Sequence, residues 1–152
     1  MRKLTVAVCA LMLAACANVP GKYSAPSEKS AHALVKVENH LNDGAKQEQA
    51  GWQMPGMDAI GGSFKTMLFQ VDGDKITKVG GVQEIRVKPG LHQIQVMVDD
   101  GLIPLSGDVT GTFVEKHAYD VKVYHDEQGN KRYRADLVDE ASPADVINQA
   151  RF

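Results

Sequence analysis

The strongest constraint on this fold is a repeated alternation of apolar and polar residues with a period of two. In one segment, Ile94, Val96 and Val98 alternate with Gln93 and Gln95. Successive side chains of a β-strand point to opposite faces, so this pattern is typical of a strand with one buried face. An α-helix would instead place its apolar residues three and four positions apart. The alternation therefore favours an all-β fold.

Seven segments have this alternation or the composition of strands, and turn-forming residues separate them. They comprise residues 33–38, 64–71, 84–88, 91–98, 108–115, 118–125 and 131–138. About seven short strands at this spacing predict two sheets packed face to face. We expect the third and fourth segments to form a hairpin-like unit around Pro89 and Gly90, and the last two segments to form a hairpin.

For three stretches the sequence predicts a helix or a loop, or fits a helix as well as a strand. Residues 33–41 also fit a short helix. Ser142 precedes Pro143, and Asp145 follows three residues after the serine, which matches a helix N-cap and first turn. This predicts a short C-terminal helix from Pro143 to Gln149. Residues 42–63 are rich in glycine and predict a long loop.

The N-terminus precedes this domain with a pattern of its own. Two basic residues at positions 2 and 3 are followed by an apolar run from residue 4 to residue 13. This is the pattern of a secretory signal. The run is shorter than the roughly 20 apolar residues that a membrane-spanning helix needs. It ends in Leu13-Ala14-Ala15-Cys16, which resembles the lipobox of bacterial lipoproteins at all four positions.

This resemblance implies cleavage between Ala15 and Cys16 and a diacylglycerol thioether on Cys16. Two or three acyl chains together would anchor the protein firmly to a membrane. Ala17 and Asn18 follow the cysteine, whereas in lipoproteins of this kind an aspartate directly after the cysteine favours retention in the inner membrane. We therefore expect an outer-membrane protein that faces the periplasm, with the inner membrane as the less favoured location.

The chain divides into three parts on this basis. Residues 1–15 form a signal peptide, and residues 16–30 form the lipidated N-terminus and a flexible tether. Residues 31–152 form a single β-sandwich domain. Fully extended, the tether would span roughly 40 Å, at about 3.3 Å per residue.

Composition excludes several classes of function. Cleavage of the signal peptide leaves 15 basic side chains against 19 acidic ones, a formal charge near −4, and this balance argues against nucleic acid as a partner. Cys9 lies in the signal peptide, so Cys16 is the only cysteine of the mature chain. Internal disulfides, thiolate zinc sites and cysteine nucleophiles are therefore excluded. We expect no cofactor.

Two further resemblances concern the domain itself. Residues 85–96, with a Pro-Gly turn and His92 between two apolar strands, resemble the strand–turn–strand core of PEGA-type domains. Such domains are regarded as extracytoplasmic interaction or structural units. Residues 115–121 resemble the tyrosine corner of immunoglobulin-like sandwiches, which implies that the Tyr119 hydroxyl bonds to nearby backbone. The resemblances together imply an immunoglobulin-like or transthyretin-like sandwich.

Three histidines are candidates for chemistry. His92 falls in phase with the inward-facing residues of its strand, and together with His117 and His125 it could form a metal-binding or catalytic pocket. Such a pocket would make the protein a small periplasmic enzyme or a metal-binding protein. The alternative is that each ring is held by its own hydrogen bond. We favour this alternative, because the sequence places no set of carboxylate ligands beside the three rings.

A basic stretch at residues 131–134 lies near Lys122 and Tyr124 in the predicted last hairpin. It could present a positive patch to anionic lipid or to peptidoglycan. The same side chains could instead pair with Asp120 and Asp136 on a solvated strand face. We favour the paired arrangement.

The long loop contains the single tryptophan, Trp52, with Met54 and Met57 close to it. A lone tryptophan in such a loop either folds back as a cap on the sandwich, which we favour, or contacts a partner. The sequence as a whole predicts a lipid-anchored, non-enzymatic binding or structural module of the cell envelope. Its partners would be the membrane, through the lipid, and an envelope protein or peptidoglycan.

Overall fold

The computed structural model describes residues 21–43, 64–77 and 79–152, in which it contains strands but no α-helix. Within these ranges, no helix has the length and apolarity needed to cross a membrane. The strands are β1 (Ala33–Asn39), β2 (Lys65–Val71), β3 (Asp74–Lys75), β4 (Glu84–Val87), β5 (Gly90–Asp99), β6 (Leu105–Phe113), β7 (Ala118–His125), β8 (Tyr133–Asp139) and β9 (Ser142–Arg151).

These strands form two sheets. One sheet has five strands in the order β4-β1-β7-β8-β9, and the other has four in the order β3-β2-β5-β6. β1 and β7 run parallel, and the remaining paired neighbours are antiparallel. Buried side chains from both sheets belong to one hydrophobic cluster. The prediction of an all-β, two-sheet sandwich is confirmed.

The alternation of the sequence decides which side chains enter this core. In β1, Ala33, Val35 and Val37 are buried, while Leu34 and Lys36 between them are half-exposed. Burying one such aliphatic or aromatic side chain contributes about 1.5–3 kcal/mol. The largest fully buried side chains are Tyr119, Phe113, Leu41, Leu68, Ile94 and Leu137. The helical alternative for residues 33–41 is wrong, because β1 is paired on both sides, with β4 and β7.

β4 and β5 do not form the predicted hairpin-like unit. Val87 of β4 pairs with Ala33 in the five-stranded sheet, whereas Gly90 of β5 pairs with Phe113 in the four-stranded sheet. The turn at Pro89 and Gly90 therefore carries the chain from one sheet to the other. Gly90 has a φ of 129°, which glycine adopts without a side-chain clash. The predicted hairpin of the last two segments is confirmed by the antiparallel β7–β8 pair.

The predicted C-terminal helix from Pro143 to Gln149 is wrong, because these residues belong to β9. The strand pairs with β8 and lies at the edge of its sheet, where a proline is tolerated. Its second half also reaches the other sheet, since the Thr110 N–H donates a hydrogen bond of 3.0 Å to the Asn148 side-chain oxygen. The N-cap pattern is a local preference, and this pairing overrides it.

The N-terminal segment extends the four-stranded sheet at the edge formed by β3. Lys22 forms a parallel bridge with Lys75 of β3, and Tyr23 packs against the core. The sequence assigns residues 16–30 to an extended tether, but the described residues 21–23 lie against the sandwich. β3 itself was not among the predicted strands, because two residues are too short for a period to be recognised.

A hydrogen bond closes the corner between β6 and β7. The backbone N–H of Val114 donates to the Tyr119 hydroxyl oxygen at 3.0 Å. The Tyr119 ring is buried and meets Phe113 edge to face, with 4.9 Å between ring centroids. The predicted contact between the tyrosine hydroxyl and nearby backbone is therefore confirmed.

Candidate functional site

The residues implied by the lipobox and by the long loop lie outside the described residues. These are Ala15, Cys16, Trp52, Met54 and Met57. The lipid attachment and the role of the loop therefore stay predictions. The three histidines, the basic stretch and both ends of the sandwich are described.

The strands define two ends of the sandwich. The Gly90 end comprises the turns at residues 72–73, 88–90, 114–117 and 140–141. The Ile103 end comprises residues 40–43, 100–104 and 126–132. The register supports this division, because Gly90 pairs with Phe113 at one end of the β5–β6 pair and Val98 pairs with Leu105 at the other.

His92 lies at the Gly90 end and is held by Asp72. Its Nδ1 is 2.6 Å from Asp72 Oδ2. Because an ionised carboxylate only accepts hydrogen bonds, Nδ1 is the donor. The His92 side chain is 16% exposed, and its Nε2 is buried without a hydrogen-bond partner among the described residues. His92 therefore lies inward near the turn, as its phase in the strand predicts.

Asp72 is held in its ionised form by the same contacts. Burial alone would raise the pKa of this carboxyl group. The hydrogen bond from the Gln93 backbone N–H, the hydrogen bond from His92 and the charge of the ring outweigh burial and lower the pKa below its ordinary value. The pair resembles the carboxylate–histidine half of a catalytic triad, but the unpartnered Nε2 has no hydroxyl within hydrogen-bond distance among the described residues.

His117 forms a separate pair at the same end. Its Nδ1 is 2.8 Å from Asp139 Oδ2, and that hydrogen bond is the largest cause that lowers the pKa of Asp139. The ring stacks on Tyr119, with 6.2 Å between centroids. His117 is 42% exposed, so it is the more accessible of the two paired rings.

His125 lies at the other end of β7 from His117. Its Nε2 is 3.3 Å from the carbonyl oxygen of Leu41, and its ring meets Phe64 edge to face. The two histidines are eight positions apart along an extended chain, a distance on the order of 25 Å. The structure therefore gives His92, His117 and His125 different partners and does not bring them together.

Metal ligation was the second role considered for these side chains. In residues 21–43, 64–77 and 79–152, no group of three or more His, Cys, Asp or Glu side chains is arranged to hold a metal ion. A protein zinc site usually takes three or four such ligands. His92, His117 and His125 each have one hydrogen-bond partner instead.

Two of the three cations in the basic stretch, Arg132 and Arg134, lie beside acids. Arg134 Nε is 3.2 Å from Asp136 Oδ2, and Lys122 Nζ is 3.9 Å from Glu38 Oε2. The Arg134 guanidinium also lies over the Tyr124 ring, 4.9 Å from its centroid. The paired arrangement that we favoured is confirmed for Arg134 and Asp136 as an ion pair, although Arg134 Nε makes no hydrogen bond within the described residues. Asp120, the other expected partner, has no salt bridge among the described residues. Tyr133, between Arg132 and Arg134 in the chain, is buried in the core.

The Ile103 end has an exposed apolar tip that the sequence analysis missed. Leu102 and Ile103, in the loop between β5 and β6, are 76% and 68% exposed. Together with Pro104 they form three successive apolar residues in a turn-rich stretch. That run of apolar residues is the sequence signal for the tip.

Asp100 holds this apolar tip in shape. Its Oδ1 accepts hydrogen bonds from the backbone N–H groups of Leu102 at 2.9 Å and Ile103 at 3.3 Å. Its Oδ2 contacts Arg132 at 3.2 Å and the Tyr133 hydroxyl at 3.3 Å. The Leu102 N–H is the largest cause that lowers the pKa of Asp100. The carboxylate therefore joins the loop to the start of β8.

Histidine–carboxylate pairs occur at both ends of the sandwich. The Gly90 end contains the pairs of His92 and His117, and at the Ile103 end His40 Nδ1 is 2.6 Å from Asp43 Oδ2. The Ile103 end also exposes the apolar tip that Asp100 holds. Comparison with known proteins adds no assignment: no protein-family model, no curated protein sequence and no solved structure matches this chain.

Proposed function

We propose that this protein is a lipid-anchored component of the cell envelope, facing the periplasm from the outer membrane, and acts as a non-enzymatic binding or structural module. The Leu13-Ala14-Ala15-Cys16 motif supports the anchor. The acidic balance of the mature chain argues against nucleic acid as the partner. The partner is an envelope protein that covers apolar side chains on this domain.

The observation that carries this proposal is the apolar tip at Leu102 and Ile103. Large side chains exposed to this extent leave apolar surface in water, which a partner can remove. The Asp100 hydrogen bonds hold the loop before binding. A preorganised loop loses less conformational entropy when it binds.

The segment with Trp52, Met54 and Met57 belongs to the same proposal. It follows Asp43 and precedes Phe64, and both of these flanking residues lie at the Ile103 end. Contact with a partner through Trp52 would therefore extend the surface formed by Leu102 and Ile103.

We also propose which type of β-sandwich this domain is. We assign the sandwich to the immunoglobulin-like kind rather than the transthyretin-like kind, and the bond between Val114 and Tyr119 supports this choice. The resemblance of residues 85–96 to PEGA-type domains agrees with a binding role. The rival function, an enzyme or metal-binding protein using His92, His117 and His125, requires these rings in one pocket, and their separate partners weigh against it.

A photo-crosslinking amino acid at Ile103 tests the proposed contact in living cells. We expect a specific crosslinked envelope protein from the Ile103 position. Leu91 is the matched control, because it is 70% exposed and lies at the other end. If the segment with Trp52 also contacts the partner, combining Trp52→Ala with the Ile103 probe should decrease the amount of crosslinked product. The same crosslinks from both positions, or none from Ile103, would reject the tip as the binding surface.

The anchor is tested separately by the mass of the mature protein and by fractionation. We expect a diacylglycerol thioether on Cys16 and recovery with the outer membrane. Cys16→Ser should abolish both results. An unmodified Cys16 thiol, or a wild-type chain in the soluble fraction, would contradict the proposed anchoring.

A further inference from the structure

Gly21, five residues after Cys16 in the chain, is already paired with the sandwich. The Tyr23 N–H donates to the Lys75 carbonyl at 2.8 Å, and the Lys75 N–H donates to the Gly21 carbonyl at 3.0 Å. The Gly21 N–H donates to Asp74 Oδ1 at 3.0 Å. A β-carbon at Gly21 would lie 2.6 Å from that same oxygen. A larger residue at position 21 would therefore displace the Asp74 carboxylate and its hydrogen bond to the N-terminal strand.

Tyr23 also attaches the N-terminal segment to the five-stranded sheet. Its hydroxyl donates to the Arg86 carbonyl at 3.0 Å, so the residue links β3 of one sheet to β4 of the other. Burial, and then the charge of Asp72, raise the pKa of the Tyr23 phenol. Both causes indicate that Tyr23 is packed into the Gly90 end rather than exposed on a tether.

The short connection limits how far the domain can stand from a membrane. Five residues span at most about 17 Å when fully extended, compared with roughly 40 Å for a tether that reaches Ser30. A sandwich held by so short a connection cannot turn freely above the bilayer.

The direction of the N-terminal strand decides which end faces the membrane. Residues 21–23 run parallel to β3, and β3 runs away from the Gly90 end, because Asp74 pairs with Val71 and Val71 pairs with Ile94. The chain therefore enters the fold from the Gly90 end. Leu91 lies three residues before Ile94 in β5, and it is therefore about 10 Å closer to the Gly90 end than Ile94 is.

The Gly90 end has side chains suited to a lipid surface. Leu91 is 70% exposed and Val114 is 48% exposed. Leu91 pairs with Thr112 close to the end of β6, and Val114 directly follows the last residue of that strand, so both lie at the Gly90 end. Exposed lysines flank these two residues at positions 88 and 116. Lysines near apolar side chains favour the interface of an anionic membrane.

We propose that the Gly90 end of the anchored protein rests on the phospholipid surface, with Leu91 and Val114 at the level of the headgroups. This inference rests on the proposed lipid anchor. It assigns opposite roles to the two ends, because the membrane covers the Gly90 end while the Ile103 end points into the periplasm toward the partner. The acids Asp72, Glu115 and Glu140 at the Gly90 end limit the electrostatic attraction, so the lipid anchor supplies the main affinity.

Site-specific fluorescence in vesicles tests this orientation. The mature chain has no other cysteine than Cys16, whose sulfur is blocked by lipid, so one introduced cysteine can be labelled selectively. Leu91→Cys and Val114→Cys place an environment-sensitive label at the Gly90 end. Leu102→Cys and Ile103→Cys place it at the Ile103 end. Each full-length lipidated variant is reconstituted in vesicles of phosphatidylethanolamine and phosphatidylglycerol with a spin-labelled lipid as quencher.

We expect blue-shifted emission and several-fold stronger quenching for the Leu91 and Val114 labels than for the Leu102 and Ile103 labels. Membrane-bound protein with equal quenching at both ends, or with no quenching at the Gly90 end, would overturn the orientation and leave the anchor intact. Protein that is not lipidated and does not bind the vesicles would overturn the anchor and the orientation together. Circular dichroism of each labelled variant verifies that the sandwich is folded.

Discussion

At the scale of single residues, carboxylates organise the Gly90 end. Asp72 has a φ of 53° in the turn after β2, an unusual conformation that aspartate tolerates better than most residues. From there its Oδ1 accepts the Gln93 N–H at 2.9 Å while its Oδ2 contacts His92. Asp139 holds His117 in the same manner. The turns of this end are therefore joined by charge-assisted hydrogen bonds.

These two pairs predict how stability depends on acid. The pKa values of Asp72 and Asp139 in the folded protein lie below their ordinary 3.8. Their stabilisation is therefore complete above about pH 3.8 and is lost as the pH falls from there through the folded-state pKa. The free energy of unfolding of the wild type should decrease more steeply in this range than that of the Asp72→Asn, Asp139→Asn double variant.

At neutral pH the double variant should be less stable, by up to about 1 kcal/mol for each substitution, because solvent screens these partly exposed pairs. Urea unfolding followed by circular dichroism at several pH values measures both effects. Asp108→Asn serves as the control, since Asp108 is exposed and makes no side-chain hydrogen bond within the described residues. Equal pH slopes for the wild type and the double variant would refute the explanation.

At the scale of elements, the C-terminus closes the gap between the two sheets. The N–H of Phe152 donates to the carbonyl of Tyr133 at 3.0 Å, and the N–H of Tyr133 donates to the carbonyl of Phe152 at 2.9 Å. The Phe152 ring packs against Tyr133, with 5.8 Å between centroids, and lies against Gly107 of β6. β9 thus contacts β6 as well as its own partner β8.

Gly107→Ala tests this closure, because a β-carbon at Gly107 would overlap the Phe152 ring. We expect a loss of about 1–3 kcal/mol in the free energy of unfolding, as for other overpacked sites. Ser106→Ala, at the exposed neighbouring position, should have little effect. In a cycle with Phe152→Ala, the two substitutions should not be additive, because the overlap that Gly107→Ala introduces disappears once the Phe152 ring is removed. Additive effects measured by urea unfolding would show that the ring does not contact this position.

At the scale of the whole molecule, residues 21–23 connect the proposed anchor to both sheets. The bridge to Lys75 and the Tyr23 bond to Arg86 make the N-terminal strand part of the folded body. Force applied to a lipid on Cys16 would therefore be transmitted to the sandwich through this strand. The orientation inferred for the membrane depends on this connection.

Tyr23→Phe should weaken the connection without removing the ring from its packing. Loss of the hydroxyl bond should cost about 0.5–1.5 kcal/mol and increase hydrogen exchange at the Lys75 amide, which donates to Gly21. Tyr124→Phe is the matched control, because its hydroxyl makes no hydrogen bond within the described residues. Unchanged exchange at Lys75 in the Tyr23→Phe variant would mean that the hydroxyl does not secure the strand.

Part of the candidate site could be predicted from the sequence. The phase of His92 in its strand predicts its inward position, and the corner pattern predicts the Tyr119 hydrogen bond. The partners Asp72 and Asp139 were not predictable, because each lies about 20 residues away in the chain from the histidine it holds. The apolar tip at Leu102 had a sequence signal, but only the structure reveals that its side chain is exposed and that Asp100 holds the loop.

The sequence by itself determined that the chain folds as strands, because a period of two is a property of neighbouring residues and survives any later pairing. The tertiary structure decided which strands pair. It separated β4 from β5, made β9 a strand in place of a helix, and joined residues 21–23 to the edge beside β3. Backbone hydrogen bonds between strands are the same for every sequence, so the choice of partner depends on which faces can be buried together in one core.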